Sequence, residues 1–298
     1  MRPSLRARWG ARSFRRFAAV FVASAASLGW LLPAPAWAIL GGEPGEREPA
    51  VATSTVAIVV QDTSTAGPDG QPGYYPSTGI VVAPDWILTV RHAFAEHTGA
   101  QYVWEVRFAR ALDGAADGAR RIERADVFPH PVLDLALVHL DTAVPFQYRP
   151  VRLLADWRRL NPNAHPKALL AGFGPARNRA GRNWLSFVEE PISALVVGAG
   201  GRWPDNVVPR GQGGSYIEID QRDGRGSCSG DSGGPAFAHL ADGGLALLGV
   251  IKGNAAYNGT HPCLGYSYVV RVDLALPWLT LVTGRVYDPV SMMLVEVR

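Results

Sequence analysis

Charge and cysteine are both scarce in this 298-residue chain. Only 18% of its residues are charged, against 47% hydrophobic. That balance excludes a disordered chain and a nucleic-acid-binding tail, because both need high charge and little apolar surface. Two cysteines are too few for a structural zinc cage of the Cys-rich kind. Long helical patterns and internal repeats are also missing. What is abundant is punctuation: 33 Gly and 23 Pro favour many short strands joined by turns.

The net charge of +3 belongs to one end of the chain. Residues 1–38 carry six Arg (Arg2, Arg6, Arg8, Arg12, Arg15 and Arg16) and no acid. Removing those six from the 29 basic residues leaves 23 against 26 acidic ones, a net charge of −3. Nucleic acid is therefore not an expected partner. The same 38 residues read as an export signal. A basic stretch ends at Arg16, an uncharged apolar run spans Phe17 to Leu32, and Ala36-Trp37-Ala38 forms a small-x-small cleavage site. Pro33 and Pro35 interrupt the apolar run before it reaches the length of a membrane span. Arg15-Arg16 also fits twin-arginine export. The expected location is secreted or periplasmic, with no membrane span after cleavage.

In an exported chain, Cys228 and Cys263 read as one disulfide. It would close a loop of about 34 residues and stabilise the fold by about 3–4 kcal/mol in the chain-entropy account.

From Thr53 onward short β-rich runs alternate with turn clusters. Strands are expected at Val56–Val60, Gly79–Val82, Trp86–Val90, Tyr102–Phe108 and Leu135–Leu140. A second series comprises Ala168–Ala171, Ser215–Ile219, Leu245–Ile251 and Tyr266–Val272. Thr63 to Gly73 reads as a loop, and Asp113-Gly114 and Asp117-Gly118 as turns. Leu154 to Pro166 reads as the connection between two halves. One helix is expected, over Asp273–Val282, with Asp273 as N-cap and Gly284 as its stop. The fold class is all-β, built as barrels or a sandwich.

The most informative stretch is Cys228-Ser229-Gly230-Asp231-Ser232-Gly233-Gly234-Pro235. Glycines on both sides let the Ser232 hydroxyl project from a tight turn. The N–H groups of Gly230 and Ser232 are then placed to stabilise an oxyanion. A serine nucleophile needs a base, and the base needs an orienting carboxylate. His92 ends the strand Leu88-Thr89-Val90, and Asp134 opens the apolar run Leu135-Ala136-Leu137-Val138. The chain order is His, Asp, Ser, at separations of 42 and 98 residues.

Together these residues resemble the trypsin/chymotrypsin-like serine proteases, the family used in general accounts of the triad. The resemblance spans about Ile39 to Val282. It rests on Ile39-Leu40-Gly41-Gly42, Thr89-Val90-Arg91-His92, Asp134-Leu135-Ala136-Leu137, Gly172-Phe173-Gly174 and Gly230-Asp231-Ser232-Gly233-Gly234-Pro235. It implies two six-stranded antiparallel β-barrels, over about residues 39–155 and 156–272, a C-terminal helix at 273–283 and an extension at 284–298. It implies a polypeptide substrate, no cofactor and no metal. His92 becomes the general base, Asp134 its orienter and Ser232 the nucleophile, with Gly230 and Ser232 as the oxyanion hole. It also implies that a freed Ile39 ammonium pairs with Asp231. Signal cleavage after Ala38 would free that amine directly, so export itself would activate the enzyme. Cleavage after Ala36 would instead leave Trp37-Ala38 in front of it.

Three departures stand out. Ala93 replaces the family's cysteine after the histidine, and Lys252-Gly253-Asn254 stands where relatives carry Ser-Trp-Gly. The specificity position, six before the nucleophile, is Gly226 rather than the aspartate of enzymes that cut after Lys or Arg. With Ser227 and Ser267 these residues imply an uncharged pocket for a small or apolar side chain.

Other readings fare less well. Gly230-Asp231-Ser232-Gly233-Gly234 also fits the α/β-hydrolase elbow, but that fold needs an acid and then a histidine after the serine. Here His239 and His261 both precede Asp273. A non-catalytic binding protein on a protease scaffold is the alternative function, favoured only by Lys252-Gly253. His97, His130, His139, His165, His239 and His261 form no His-Glu-x-x-His metal motif and read as loop or surface residues. The Asp113/Asp117 loop offers too few oxygens for calcium. The nine Trp read as core and anchor residues. Val286 to Arg298 reads as either an added edge strand or a frayed tail.

Overall fold

The computed structural model describes residues 39–66, 72–112, 118–156, 159, 166–174, 183–195 and 212–297. The expected export signal (1–38), the turn residues 113–117 and most of the expected connection (157–158 and 160–165) lie outside the described residues.

In chain order, the first half contains β1 (Glu43–Pro44), α1 (Pro49–Ser54), β2 (Thr55–Ala66), β3 (Pro72–Ala83), β4 (Trp86–Thr89) and α2 (His92–Ala95). It continues with β5 (Tyr102–Arg107), β6 (Arg120–Ile122), β7 (Val127–Pro129) and β8 (Ala136–His139). The second half contains β9 (Lys167–Gly172), β10 (Ser186–Ala194), β11 (Tyr216–Asp220), β12 (Pro235–His239), β13 (Leu245–Ala255) and β14 (Tyr266–Arg271). Helix α3 (Leu276–Thr283) and strands β15 (Val286–Asp288) and β16 (Met293–Val295) end the chain.

The fold is all-β with one C-terminal helix, as the sequence implies. The first half is an antiparallel sheet of seven strands in the order β6-β5-β2-β3-β4-β8-β7. In the second half six strands close into a barrel, because β9 pairs with both β10 and β12. The short β1 adds to the outside of β10, so the start of the described chain belongs to the second sheet rather than the first. β2 pairs with β3 and β5 on its two edges, and Val56 to Val60 is buried without interruption in the larger hydrophobic cluster. One hydrophobic cluster holds residues of both halves, and a smaller one in the second half also takes in Ile39, Leu154 and Met292.

Some elements differ from expectation. Of the expected loop Thr63–Gly73, the two described ends are strand, since β2 runs to Ala66 and β3 begins at Pro72, and residues 67–71 lie outside the described residues. Polar composition hides these strand ends because their exposed edges need no core. The helix begins at Leu276, and Asp273 does not cap it. Its carboxylate is instead held by Arg271 at 2.6 and 3.1 Å. Gly284 does stop the helix, in the left-handed conformation with φ 65°. The tail joins neither large sheet. It folds as its own hairpin, β15 on β16, fastened to the body where Leu153 N–H donates to Met292 O (2.6 Å) and Tyr287 Oη to Leu153 O (3.0 Å).

Candidate active site

His92 and Asp134 meet because β4 and β8 are antiparallel. The C-terminal end of β4 (Thr89) pairs with the N-terminal start of β8 (Ala136). His92 opens α2 just beyond the first, and Asp134 stands just before the second. The Asp134 carboxylate then takes two hydrogen bonds from one residue. Its Oδ1 accepts the His92 backbone N–H at 3.0 Å, and its Oδ2 lies 2.8 Å from His92 Nδ1. Asp134 is 8% exposed. Burial pushes its carboxyl up, but the His92 hydrogen bond and the charges of His92 and Lys252 outweigh that and hold it below the ordinary carboxylate range. An ionised carboxylate thus fixes the ring orientation, with Nδ1 turned inward.

Ser232 stands on the loop before β12, and strand β3 of the other half clamps that loop. Thr78, fully buried, donates its N–H to Ser232 O (2.8 Å) and its hydroxyl to Gly230 O (3.1 Å). The same hydroxyl accepts the Phe173 N–H (3.1 Å), and Thr89 Oγ1 donates to Thr78 O (2.7 Å). Glycine is required after the serine. Gly233 has φ 86°, and a Cβ there would come within 2.0 Å of Thr78 O and 2.2 Å of Thr89 Oγ1. Among the described residues neither the Gly230 nor the Ser232 N–H donates a hydrogen bond. The Ser232 hydroxyl donates to Lys252 O at 3.0 Å rather than to His92.

Asp231 is fully buried behind this loop. Its Oδ1 accepts the Gly174 N–H and its Oδ2 the Cys228 N–H, both at 2.8 Å. Burial nevertheless pushes its carboxyl up to about 7, only partly offset by those two N–H groups. The Ile39 side chain is fully buried in the second-half core. Leu40 and Gly226 exchange both backbone hydrogen bonds, at 2.9 and 3.0 Å, so the start of the described chain is stitched to the loop that carries Gly226.

Around Gly226 lies a buried polar network. Gly226 has φ 132°, and a Cβ there would lie 2.3 Å from the Gln221 side chain, so an aspartate cannot occupy this position as the loop stands. Gln221 Oε1 accepts from Ser227 N (2.8 Å) and Oγ (3.1 Å), while its Nε2 donates to Ser227 O (3.1 Å). Ser227 Oγ is also 2.8 Å from Ser267 Oγ. Asn254 Nδ2 closes the group with bonds to Ser227 O (2.9 Å) and Oγ (3.0 Å). Gly226, Ser227, Asn254 and Ser267 are thus brought together, and a Cβ at Gly253 would meet only open space. Lys252 departs from the expected grouping. It lines the cleft beside His92 and Asp134 instead. The disulfide Cys228–Cys263 is formed, with Cα atoms 5.0 Å apart. It ties the loop before Ser232 to the turn before β14.

Sequence reasoning missed Thr78, Gln221 and Tyr216. None carries a local signature: Thr78 reads as one more β-branched strand residue, and Gln221 as a turn residue after β11.

The barrel architecture points the same way as comparison with known proteins. A trypsin family model matches residues 47–279. The chain belongs to the trypsin family. Mouse Serine protease 56 is 28% identical over 213 residues, covering 64% of this chain and 33% of that protein. The chain therefore spans about a third of the length of this curated relative. A solved HL collagenase structure at 1.7 Å resolution aligns with a TM-score of 0.56 and 20% identity, covering 82% of this chain and 96% of that one. That likeness is one of fold. Among the described residues of this trypsin-family chain, no helix is long and apolar enough to cross a membrane.

Proposed function

We propose that this chain is an exported serine endopeptidase that cuts polypeptides through an acyl-enzyme, with Ser232 as nucleophile, His92 as general base and Asp134 as orienter. The observation that carries the reading is the double hold of Asp134 on His92, at 3.0 and 2.8 Å. With Nδ1 bound inward, Nε2 is left to take the Ser232 proton. The serine oxygen adds to the substrate carbonyl carbon, and the resulting oxyanion is received by the Gly230 and Ser232 N–H groups. The C–N bond breaks as the imidazolium returns its proton to the leaving amine. Water then repeats both steps and releases the acid.

The pocket supports a short, uncharged side chain before the cut. Asn254 reaches across to Ser227, and Gln221 fills the space an aspartate at position 226 would need. Cleavage after Lys or Arg is therefore disfavoured. Activation follows from Asp231. A buried carboxylate without a cation is costly by several kcal/mol or about that, and an Ile39 ammonium freed by removal of residues 1–38 would pair with it.

The test is hydrolysis of a peptide library by the protein with its N-terminus confirmed as Ile39, beside Ser232→Ala. Ser232-dependent cleavage after small uncharged residues supports the reading, and a lasting Trp37 N-terminus in active enzyme contradicts the activation step. One observation favours the non-catalytic alternative: the Ser232 hydroxyl donates to Lys252 O rather than to His92. Absence of any cleavage by the confirmed mature protein would decide for it.

A further inference from the structure

Strand β13 loses register with β14 between Ile251 and Gly253, and Lys252 is the residue at that irregularity. A bulge re-aims the side chain it carries. The Lys252 backbone carbonyl accepts the Ser232 hydroxyl at 3.0 Å. Its side chain enters a cleft of about 240 Å³ shared with Arg91, His92, Glu96, Asp134 and Tyr216. There the Nζ lies 5.7 Å from the centre of the Tyr216 ring, within range of a cation–π contact. One residue therefore touches the nucleophile through its backbone and faces the His–Asp pair through its charge.

We propose that Lys252 is a positioning residue of the catalytic centre, whose ammonium shares the Asp134 carboxylate with His92 and so limits how readily His92 takes the serine proton. Asp134 has one negative charge to offer. Where only a neutral group faced it, that charge would serve the imidazolium alone. Here a fixed cation claims part of it and also repels the imidazolium as it forms. Among the described residues, the charged groups that line this cleft with Lys252 are Arg91, His92 and Glu96 around α2, and Asp134 before β8. Tyr216 on β11 is a further titratable group there. Arg91 adds to the repulsion, and Glu96 and Asp134 are the acids of this described lining. The electrostatics run the same way: the Lys252 charge helps hold Asp134 ionised, while burial and Arg91 lower Lys252 itself below the ordinary lysine range.

The mechanistic meaning rests on the protease reading, but the charge effect does not, so two readouts separate them. The first is the pH dependence of Ser232 labelling by a fluorophosphonate. The second is the NMR titration of the His92 ring, which needs no activity. In Lys252→Met both midpoints should rise by about one unit, so that labelling one unit below the limb slows about tenfold. Lys252→Arg keeps a cation and should leave both midpoints within about 0.3 unit of the parent. An unmoved His92 titration in Lys252→Met overturns the proposal, as does an equal rise in Lys252→Arg. If Lys252→Met does not fold, Lys252→Gln is read the same way. Loss of labelling in the parent, with the His92 titration still shifted by Lys252→Met, would sink the protease reading and leave the charge coupling standing.

Discussion

Thr78 N–H donates to Ser232 O across the two halves of the molecule, at 2.8 Å. The first half thus supplies more than His92 and Asp134, because it also holds the loop that carries Ser232. Thr78→Val keeps the shape but removes the hydroxyl that serves Gly230 O and Phe173 N–H. The buried Phe173 N–H and the half-buried Gly230 O lose a partner, so urea unfolding should show a loss of about 1–3 kcal/mol. Labelling of Ser232 should slow as well, since Gly230 is one of the proposed oxyanion donors.

Asn254 Nδ2 reaches Ser227 O and Oγ at 2.9 and 3.0 Å, across the proposed specificity pocket. Asn254→Gly should open it. In paired peptide substrates differing only before the cut, the kcat/KM ratio of Phe over Ala should rise about tenfold, the size a hydrophobic pocket can discriminate. An unchanged ratio would mean that this network does not face the substrate.

Asp231 makes the uncleaved chain sensitive to pH. Its carboxyl rises from 3.8 to about 7 on folding, so between those values the folded chain holds a proton that the unfolded chain has lost. Stability conferred by that proton is complete below about pH 4 and falls by about 4 kcal/mol as pH rises through 7. An Ile39 ammonium would remove the loss by pairing with the carboxylate. Glu190, also pushed up to about 7 by burial and by Asp223, acts in both forms. The difference between the urea midpoints of the uncleaved and Ile39-started proteins, followed from pH 4 to 7, therefore isolates Asp231. The two curves should diverge as pH rises.

The disulfide joins residues 35 apart in sequence. Replacing both cysteines by serine should cost about 3–4 kcal/mol on the chain-entropy account, read as a lower urea midpoint. Because the bridge ties the Ser232 loop to the turn before β14, selectivity before the cut should also loosen.

Much of this molecule is legible in its sequence, and the rest is hidden for identifiable reasons. Strands such as Trp86–Thr89 and Tyr266–Arg271 announce themselves by buried apolar runs. Strand β10 does not, since Glu189, Glu190 and Pro191 interrupt it, and its place comes from pairing with β9 and β11. His92, Asp134 and Ser232 stand out because glycines and apolar strands frame them. Thr78 and Gln221 act through hydrogen bonds to residues distant in sequence, which leave no local pattern. Lys252 is conspicuous as a departure from its family, yet its direction depends on a shift in strand register that composition does not reveal.

The central claim is that His92, Asp134 and Ser232 form a working nucleophile, and active-site labelling tests it most directly. Protein with Ile39 confirmed as its N-terminus should react with a fluorophosphonate at one residue, Ser232, and Ser232→Ala should not react at all. A folded protein beginning at Ile39 that stays unlabelled would contradict the account.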